Sequence, residues 1–354
     1  MKRDELIDAD PHAVPSKTAP ASTQLVPAEE VIHLPGRKRF AWLAPLASAV
    51  LFSASLVVLY FIVSEIEPGE LRAAFTGASA GQIGLAVMFA IISYTLLTGY
   101  DALALLQLRL KVPYRTTAFA SFASYAVSFN LGFPLLTGGT VRYWIYAPSG
   151  LRASRVATLT VIAGITFWLG MGMVLGWSLL READELSVLV RTPAYVNRLI
   201  GAAAIAIVVA YLIWVSLKPR AVTMRGWRLD LPGLKLSIGQ ALIGIGDVCA
   251  AAAVLYVLMP DGHGIGYEVF LAVYVFAVML GIASHSPGGL GVFEATMLLA
   301  LSSLPGQKVL GALLLFRICY YFIPFIIALA MLGGYEIRRR LKTLRPVLDP
   351  RGEE

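Results

Sequence analysis

From Phe40 to Gly334 the chain alternates between long apolar stretches and short basic or glycine-rich segments, and the length of those stretches decides what it can fold into. About 20 consecutive apolar residues cross the ~30 Å hydrocarbon core of a bilayer as an α-helix. Stretches of that order run over residues 40–63, 83–108, 154–180, 199–217, 236–258, 267–284 and 307–334. A less uniform one, 117–136, contains Ser121, Ser124, Ser128 and Asn130 but keeps enough Phe, Ala, Val and Leu to span. The expected fold class is an all-α polytopic membrane protein with about eight transmembrane helices. Two short apolar pieces, 139–147 and 288–303, are left over, and each follows a Gly-rich, Pro-containing break.

Composition excludes the competing classes. Of 354 residues 58% are hydrophobic and 14% charged, where a soluble domain carries charge on about a quarter of its residues. The mean hydropathy of +0.73 excludes disorder of the whole chain, and two cysteines, Cys249 and Cys319, are too few for a disulfide-stapled scaffold. The net charge of +7 would point to nucleic acid in a soluble domain. Here Lys and Arg collect between apolar runs, as in cytoplasmic loops facing anionic lipid, and no nucleic-acid partner is expected.

Three regions follow: a disordered cytoplasmic tail over 1–39, a transmembrane domain over 40–335 and a basic cytoplasmic tail over 336–354. Asp4, Glu5, Asp8 and Asp10 stand where a secretory signal would have its apolar core, so no cleavage is expected. Arg37, Lys38 and Arg39 before the first span, and Arg338, Arg339, Arg340 and Lys342 after the last, put both termini in the cytoplasm. The same rule puts Arg109, Lys111 and Arg115 inside. It meets a conflict at 218–235, which carries five basic residues yet falls outside on a strict eight-span count. Either a short piece crosses fully, or 117–150 is a re-entrant pair, or the rule fails there.

The two halves resemble each other. Gly99-Tyr100-Asp101 precedes the break Pro134–Gly139, and Gly246-Asp247 precedes the break Pro287-Gly288-Gly289. Paired interruptions in corresponding positions point to a transporter's midplane site; chance likeness between Gly-rich apolar segments is the plain alternative. A charge at the bilayer centre costs at least ~2.5 kcal/mol and is retained with a partner or a watery cavity. The residues this singles out are Asp101, Arg142, Asp247, His285, Glu294 and Arg317. Asp101 and Asp247 lie deep in their spans, as acidic sites or as structural carboxylates. Arg142, with the amides around Gly138 and Gly139, either holds an anion at a half-helix start or snorkels to the interface. Glu294, after Gly288 and Gly289, faces the second break or caps its helix. Arg317 has Tyr320 nearby as an aromatic hydroxyl, His285 is a proton carrier or an ordinary hydrogen-bonded histidine, and Asn130 completes the set.

Five motifs lie in order along the chain: Gly99 to Leu105; SFNLGFPLLTGGTVRY from Ser128 to Tyr143; Ile165 to Gly170; Ser284 to Glu294; and Arg317 with Tyr320, Tyr321 and Pro324. Together they resemble the N-terminal flippase half of the bifunctional lysylphosphatidylglycerol synthase/flippase family, over about residues 40–335. The resemblance implies a bacterial inner-membrane protein that moves aminoacylated phosphatidylglycerol to the outer leaflet, lowering affinity for cationic antimicrobial peptides. The family's C-terminal acyltransferase-like domain has no counterpart before Glu354, so aminoacyl-lipid synthesis would need a separate synthase. No HExxH helix, GxSxG elbow or P-loop is present, and no cofactor, metal or catalytic residue is expected. Two other classes remain open: a membrane-embedded lipid-modifying enzyme using His285, Glu294 and an Asp, and a scaffold binding a synthase through the basic loop around Trp227. A homo-oligomer is also left open.

Overall fold

The computed structural model describes Gly69 and residues 77–348, apart from 191, 218–220, 225, 226 and 285. The expected tail over 1–39, the stretch 40–63 and His285 therefore lie outside the described residues. Helix α1 (Ala80–Gln107) opens on a capping box: the Ser79 hydroxyl accepts from the Gln82 amide while Gln82 Oε1 accepts from the Ser79 amide. Then come α2 (Tyr114–Leu131), α3 (Pro134–Tyr146), α4 (Ala153–Arg181), the short α5 (Ala183–Val190) and α6 (Ala194–Leu217). An antiparallel hairpin of β1 (Ala221–Met224) and β2 (Trp227–Asp230), in the register Ala221 to Asp230, separates these from α7 (Leu234–Leu258). After it come α8 (Tyr267–Ala283), α9 (Val292–Ala300) and α10 (Gly306–Phe316), which passes through a π-helical turn, Arg317–Phe322, into α11 (Ile323–Leu348). The segment 336–348, read from sequence as tail, continues α11.

Five of these are long and apolar enough to cross a bilayer: α1, α4, α6, α7 and the run Gly306–Leu341. The protein is thus an all-helical polytopic membrane protein, with one short hairpin as the strand content among the described residues. The stretches expected at 117–136 and 267–284 are the longer arms of two helical hairpins. α2 stops at Gly132 and Phe133, with φ of 74° and 50°. These left-handed residues reverse the chain, and Pro134 at the first turn of α3 restarts the helix without needing a donor. α8 reverses through Pro287–Gly289 into α9, with φ of 59°, 66° and 80° at Gly288, Gly289 and Gly291.

α7 runs antiparallel to α1. Gln82, at the start of α1, donates to the Met259 carbonyl beyond the end of α7; Ser93 meets Asp247 midway; Gln107, at the end of α1, meets Gln240 near the start of α7. The following elements match in order and pairing. α1–α2–α3–α4, with 28, 18, 13 and 29 residues, parallels α7, α8, α9 and the α10–α11 run, with 25, 17 and 9 residues before the last. α2 packs on α3 as α8 packs on α9, α4 on α8 as α11 on α2, and α4 on α7 as the π turn on α1. Antiparallel leading helices make this an inverted repeat.

The antiparallel pairing also gives each connection a side. The start of α7 lies beside the end of α1, so Lys235 and the described residues that lead into α7 are on the same side as Arg109, Lys111 and Arg115. The end of α11 joins them, since Tyr335 packs on Phe119 of α2 and Trp144 of α3. Arg152, Arg155 and Arg338–Arg340 are therefore on that side too. The opposite side carries Glu182, Asp184, Glu185, Asp261 and Glu268, where Arg181 lies 3.9 Å from Glu268 and Gln82 donates to Asp261. The conflict over 218–235 disappears because α2 and α3 enter and leave on one side. Close helix contact holds the repeats together: a Cβ on Gly244 of α7 would sit 2.6 Å from the Thr166 carbonyl of α4, the small-residue contact that lets apolar helices associate in lipid.

Candidate functional site

The interior face of α1 is set by its 3.6-residue period. Ser93, Tyr94, Leu97, Tyr100, Asp101 and Ala104 are buried while Leu85, Met88, Ile91 and Leu106 are exposed, the pattern of a helix with one face to lipid. Asp101 on this face is fully buried, and α3 brings Arg142 to it. Arg142 Nε donates to Oδ2 at 2.9 Å and Nη2 to Oδ1 at 2.8 Å, while the Tyr146 hydroxyl donates to Oδ2 at 3.1 Å. The guanidinium lies 4.7 Å from the centre of the Tyr125 ring. A planar fork on a planar carboxylate, backed by an aromatic face, is the geometry in which a buried pair holds its charge. Gly138 makes room for it, since a Cβ there would meet Ser128 Oγ at 2.6 Å and Arg142 Nη1 at 3.0 Å. Arg142 is therefore neither free for an anion nor snorkelling, the two alternatives the sequence leaves open. Its partner is 41 positions away.

The second hairpin carries a second pair. Arg317, at the start of the π turn, donates from Nε to Glu294 Oε1 at 2.7 Å and from Nη1 to the Gly288 carbonyl at 2.7 Å. Its Nη2 lies 2.5 Å from the same carboxylate oxygen, and its guanidinium lies 4.8 Å over the Tyr321 ring. Glu294 Oε2 also accepts from the Gly291 amide, so it caps α9 and binds Arg317 at once. The pairs differ in access: the Arg142 and Asp101 side chains are 3% and 0% exposed, those of Arg317 and Glu294 7% and 21%.

The hairpins enter from opposite sides and meet at their tips. A Cβ on Gly288 would lie 2.9 Å from the Phe129 carbonyl and 3.7 Å from that of Asn130. Asn130 donates to the Tyr321 carbonyl and to Ala126 of its own helix. Gly289 lies against Gly281 of α8, and Gly139 beside Thr160 of α4. Tyr320 is stacked on Phe316 and Phe129, with ring centres 5.4 and 5.9 Å away. Asp247, from α7, accepts from Ser93 at 2.5 Å and from Tyr100 at 2.9 Å.

Of the residues read from sequence, the structure thus joins Asp101, Gly138 and Arg142 at one hairpin and Asn130, Gly288, Glu294 and Arg317 at the junction of both. Asp247 and Tyr320 stand between them, linked through Ser93. Sequence reading missed Ser93, Tyr125 and Tyr146, and gave Tyr100, although part of the Gly99-Tyr100-Asp101 motif, no role of its own. Ser93 and Tyr100 were findable, being seven residues apart and hence on one face of a helix that also bears Asp101. Among the described residues no three His, Cys, Asp or Glu side chains gather as a metal site.

Residues 46–328 match the family described as the lysylphosphatidylglycerol synthase TM region. An uncharacterized protein of Synechocystis, slr0712, is 31% identical over 277 residues, covering 78% of this chain and 86% of its own. The inner membrane protein YbhN of Escherichia coli is 28% identical over 282 residues, covering 87% of that protein. A phosphatidylglycerol lysyltransferase of Staphylococcus haemolyticus is 26% identical over 288 residues, and the match takes in 33% of its length.

Proposed function

The chain belongs to the lysylphosphatidylglycerol synthase transmembrane-region family, and from that premise we propose that it moves aminoacylated phosphatidylglycerol, or a closely related phospholipid, between the leaflets of the bacterial inner membrane. The observation that carries this reading is the pair of helical hairpins, one from each side, each holding one member of a buried Arg–carboxylate pair. Irregular backbone at membrane depth is tolerated where it is buried in protein or lines a cavity.

The charges fit the cargo. An aminoacylated phosphatidylglycerol headgroup carries a phosphate and at least one ammonium. Removing one partner from a buried ion pair costs ~3–5 kcal/mol because a bare charge is left behind. A headgroup with both signs avoids that cost, because its phosphate takes over Arg142 while its ammonium takes over Asp101. Arg317 and Glu294 offer the same exchange at the other hairpin. A lipid bearing only phosphate leaves a carboxylate unpaired and is carried more slowly. The unequal exposure of the two pairs suits a transporter whose sites open in turn, one sealed while the other is reached.

The basic side then faces the cytoplasm, since Lys and Arg mark cytoplasmic loops, which puts the C-terminus inside; a crossing by 40–63 puts the N-terminus there too. Delivery of the aminoacyl lipid to the outer leaflet lowers the surface's attraction for cationic peptides. In proteoliposomes, Asp101→Ala and Arg142→Ala lose transfer of a labelled aminoacyl lipid while remaining folded. Wild-type rates in both would sink the proposal.

A further inference from the structure

The buried charges do not balance. Asp101 is matched by Arg142 and Glu294 by Arg317, but among the described residues no Lys or Arg nitrogen lies within ion-pair distance of Asp247, which is 4% exposed. Among the described residues, hydroxyls hold it. Ser93 Oγ gives its one hydrogen to Oδ1 and Tyr100 gives its own to Oδ2. The 2.8 Å contact between Ser93 Oγ and Tyr320 Oη must then be donated by Tyr320, because the serine has no second hydrogen. A directed chain runs from Tyr320 through Ser93 to Asp247, joining α7, α1 and the π turn. That turn also carries Arg317, and π turns inside α-helices recur at functional sites.

We propose that Asp247 is a proton-binding site, loaded through Ser93 and Tyr320, whose protonation and release couple lipid movement to the proton gradient. On loading, Ser93 passes its hydrogen to Asp247 Oδ1, Tyr320 passes its own to Ser93 Oγ, and the incoming proton binds Tyr320 Oη. The new carboxyl O–H then donates to Ser93 Oγ, the serine O–H donates to Tyr320 Oη, and the tyrosine O–H points away. The chain reverses and one proton has entered. Hydroxyl donors suit this, since each can donate or accept, whereas an adjacent cation would lock the carboxylate in its charged form.

The other groups facing Asp247 do not supply a competing charge. α1 brings Tyr94, Tyr100 and Asp101, the last already paired; α2 brings Tyr125; α8 brings Tyr274; the π turn brings Tyr320, and its Arg317 is already paired with Glu294; and α7 itself has Cys249. α4 carries charge only towards its ends, at Arg155 and Arg181, α6 has Arg198 near its start and Tyr211, α8 has Glu268 in its first turn, and α10 has Lys308 near its start.

The coupling rests on the transport reading above; the proton site does not, and the test separates them. On purified full-length protein, infrared difference spectra between high and low pH contain a carboxylic-acid C=O band. That band is absent in Asp247→Asn and displaced in Asp247→Glu. In proteoliposomes, one proton per lipid and one pH unit of gradient shift the steady-state leaflet ratio about tenfold in wild type, and Asp247→Asn shows no such shift. A band that persists unchanged in both variants, a carboxyl that stays in one form at every pH, or a response to sodium at fixed pH overturns the site. A pH-dependent band without lipid transfer overturns the transport reading and leaves the site standing. Wild type and Asp247→Glu decide the matter even where Asp247→Asn does not fold.

Discussion

The Asp101–Arg142 pair allows structural and functional roles to be separated in one experiment. Arg142→Met leaves the Asp101 carboxylate fully buried with the Tyr146 hydroxyl as its remaining side-chain donor, and Asp101→Leu leaves the guanidinium buried over Tyr125. Each strands one charge, at ~3–5 kcal/mol. In the double variant no charge is stranded, and apolar replacement of a whole buried pair is commonly neutral or better. What remains is the Tyr146 hydroxyl without its acceptor, about 1–3 kcal/mol. The double variant is therefore expected to be more stable than either single one, within about 1–3 kcal/mol of wild type. Equilibrium unfolding in mixed micelles, followed by tryptophan fluorescence, measures this. Lipid transfer is expected to be lost in all three. Costs that simply add, to roughly 6–10 kcal/mol, would refute the reasoning about stranded charge; transfer restored in the double variant would remove the pair from the lipid path.

At the α4–α7 contact, Gly244→Val is expected to force the helices apart, because even a Cβ would stand 2.6 Å from the Thr166 carbonyl; the same unfolding measurement should show a loss of at least about 1–3 kcal/mol. Gly288→Ala puts a side chain at φ 59° and 2.9 Å from the Phe129 carbonyl, so lipid transfer should fall through displaced hairpin tips, with about 1–2 kcal/mol of backbone strain read in the unfolding curve. With Cys249 and Cys319 replaced by Ala, single cysteines at Lys235 and Asp261 should react with an impermeant maleimide from opposite faces of oriented vesicles. Labelling from one face would contradict the inverted repeat.

Hydropathy locates the helices because burial in lipid depends on length and composition, both written locally. It does not separate an arm of a hairpin from a crossing: 117–136 and 267–284 are apolar enough to read as spans, and what turns α2 back is left-handed backbone at Gly132 and Phe133. The charged residues were legible for the same local reason, since Asp101, Arg142, Glu294 and Arg317 stand out in apolar surroundings. Their pairing was not, because Asp101 and Arg142 are brought together by a chain reversal that no periodicity encodes. Nor was the isolation of Asp247, which depends on Ser93 and Tyr100 arriving from a helix 154 and 147 positions away. The side of the connection into α7 became readable only through the antiparallel contact of α1 and α7.

The most direct test is the leaflet-transfer rate of wild-type protein in proteoliposomes for two lipids differing only in the aminoacyl group. Transfer well above that of protein-free vesicles, faster for aminoacylated phosphatidylglycerol than for phosphatidylglycerol, is the expected result. Rates equal to those of protein-free vesicles for both lipids would contradict it.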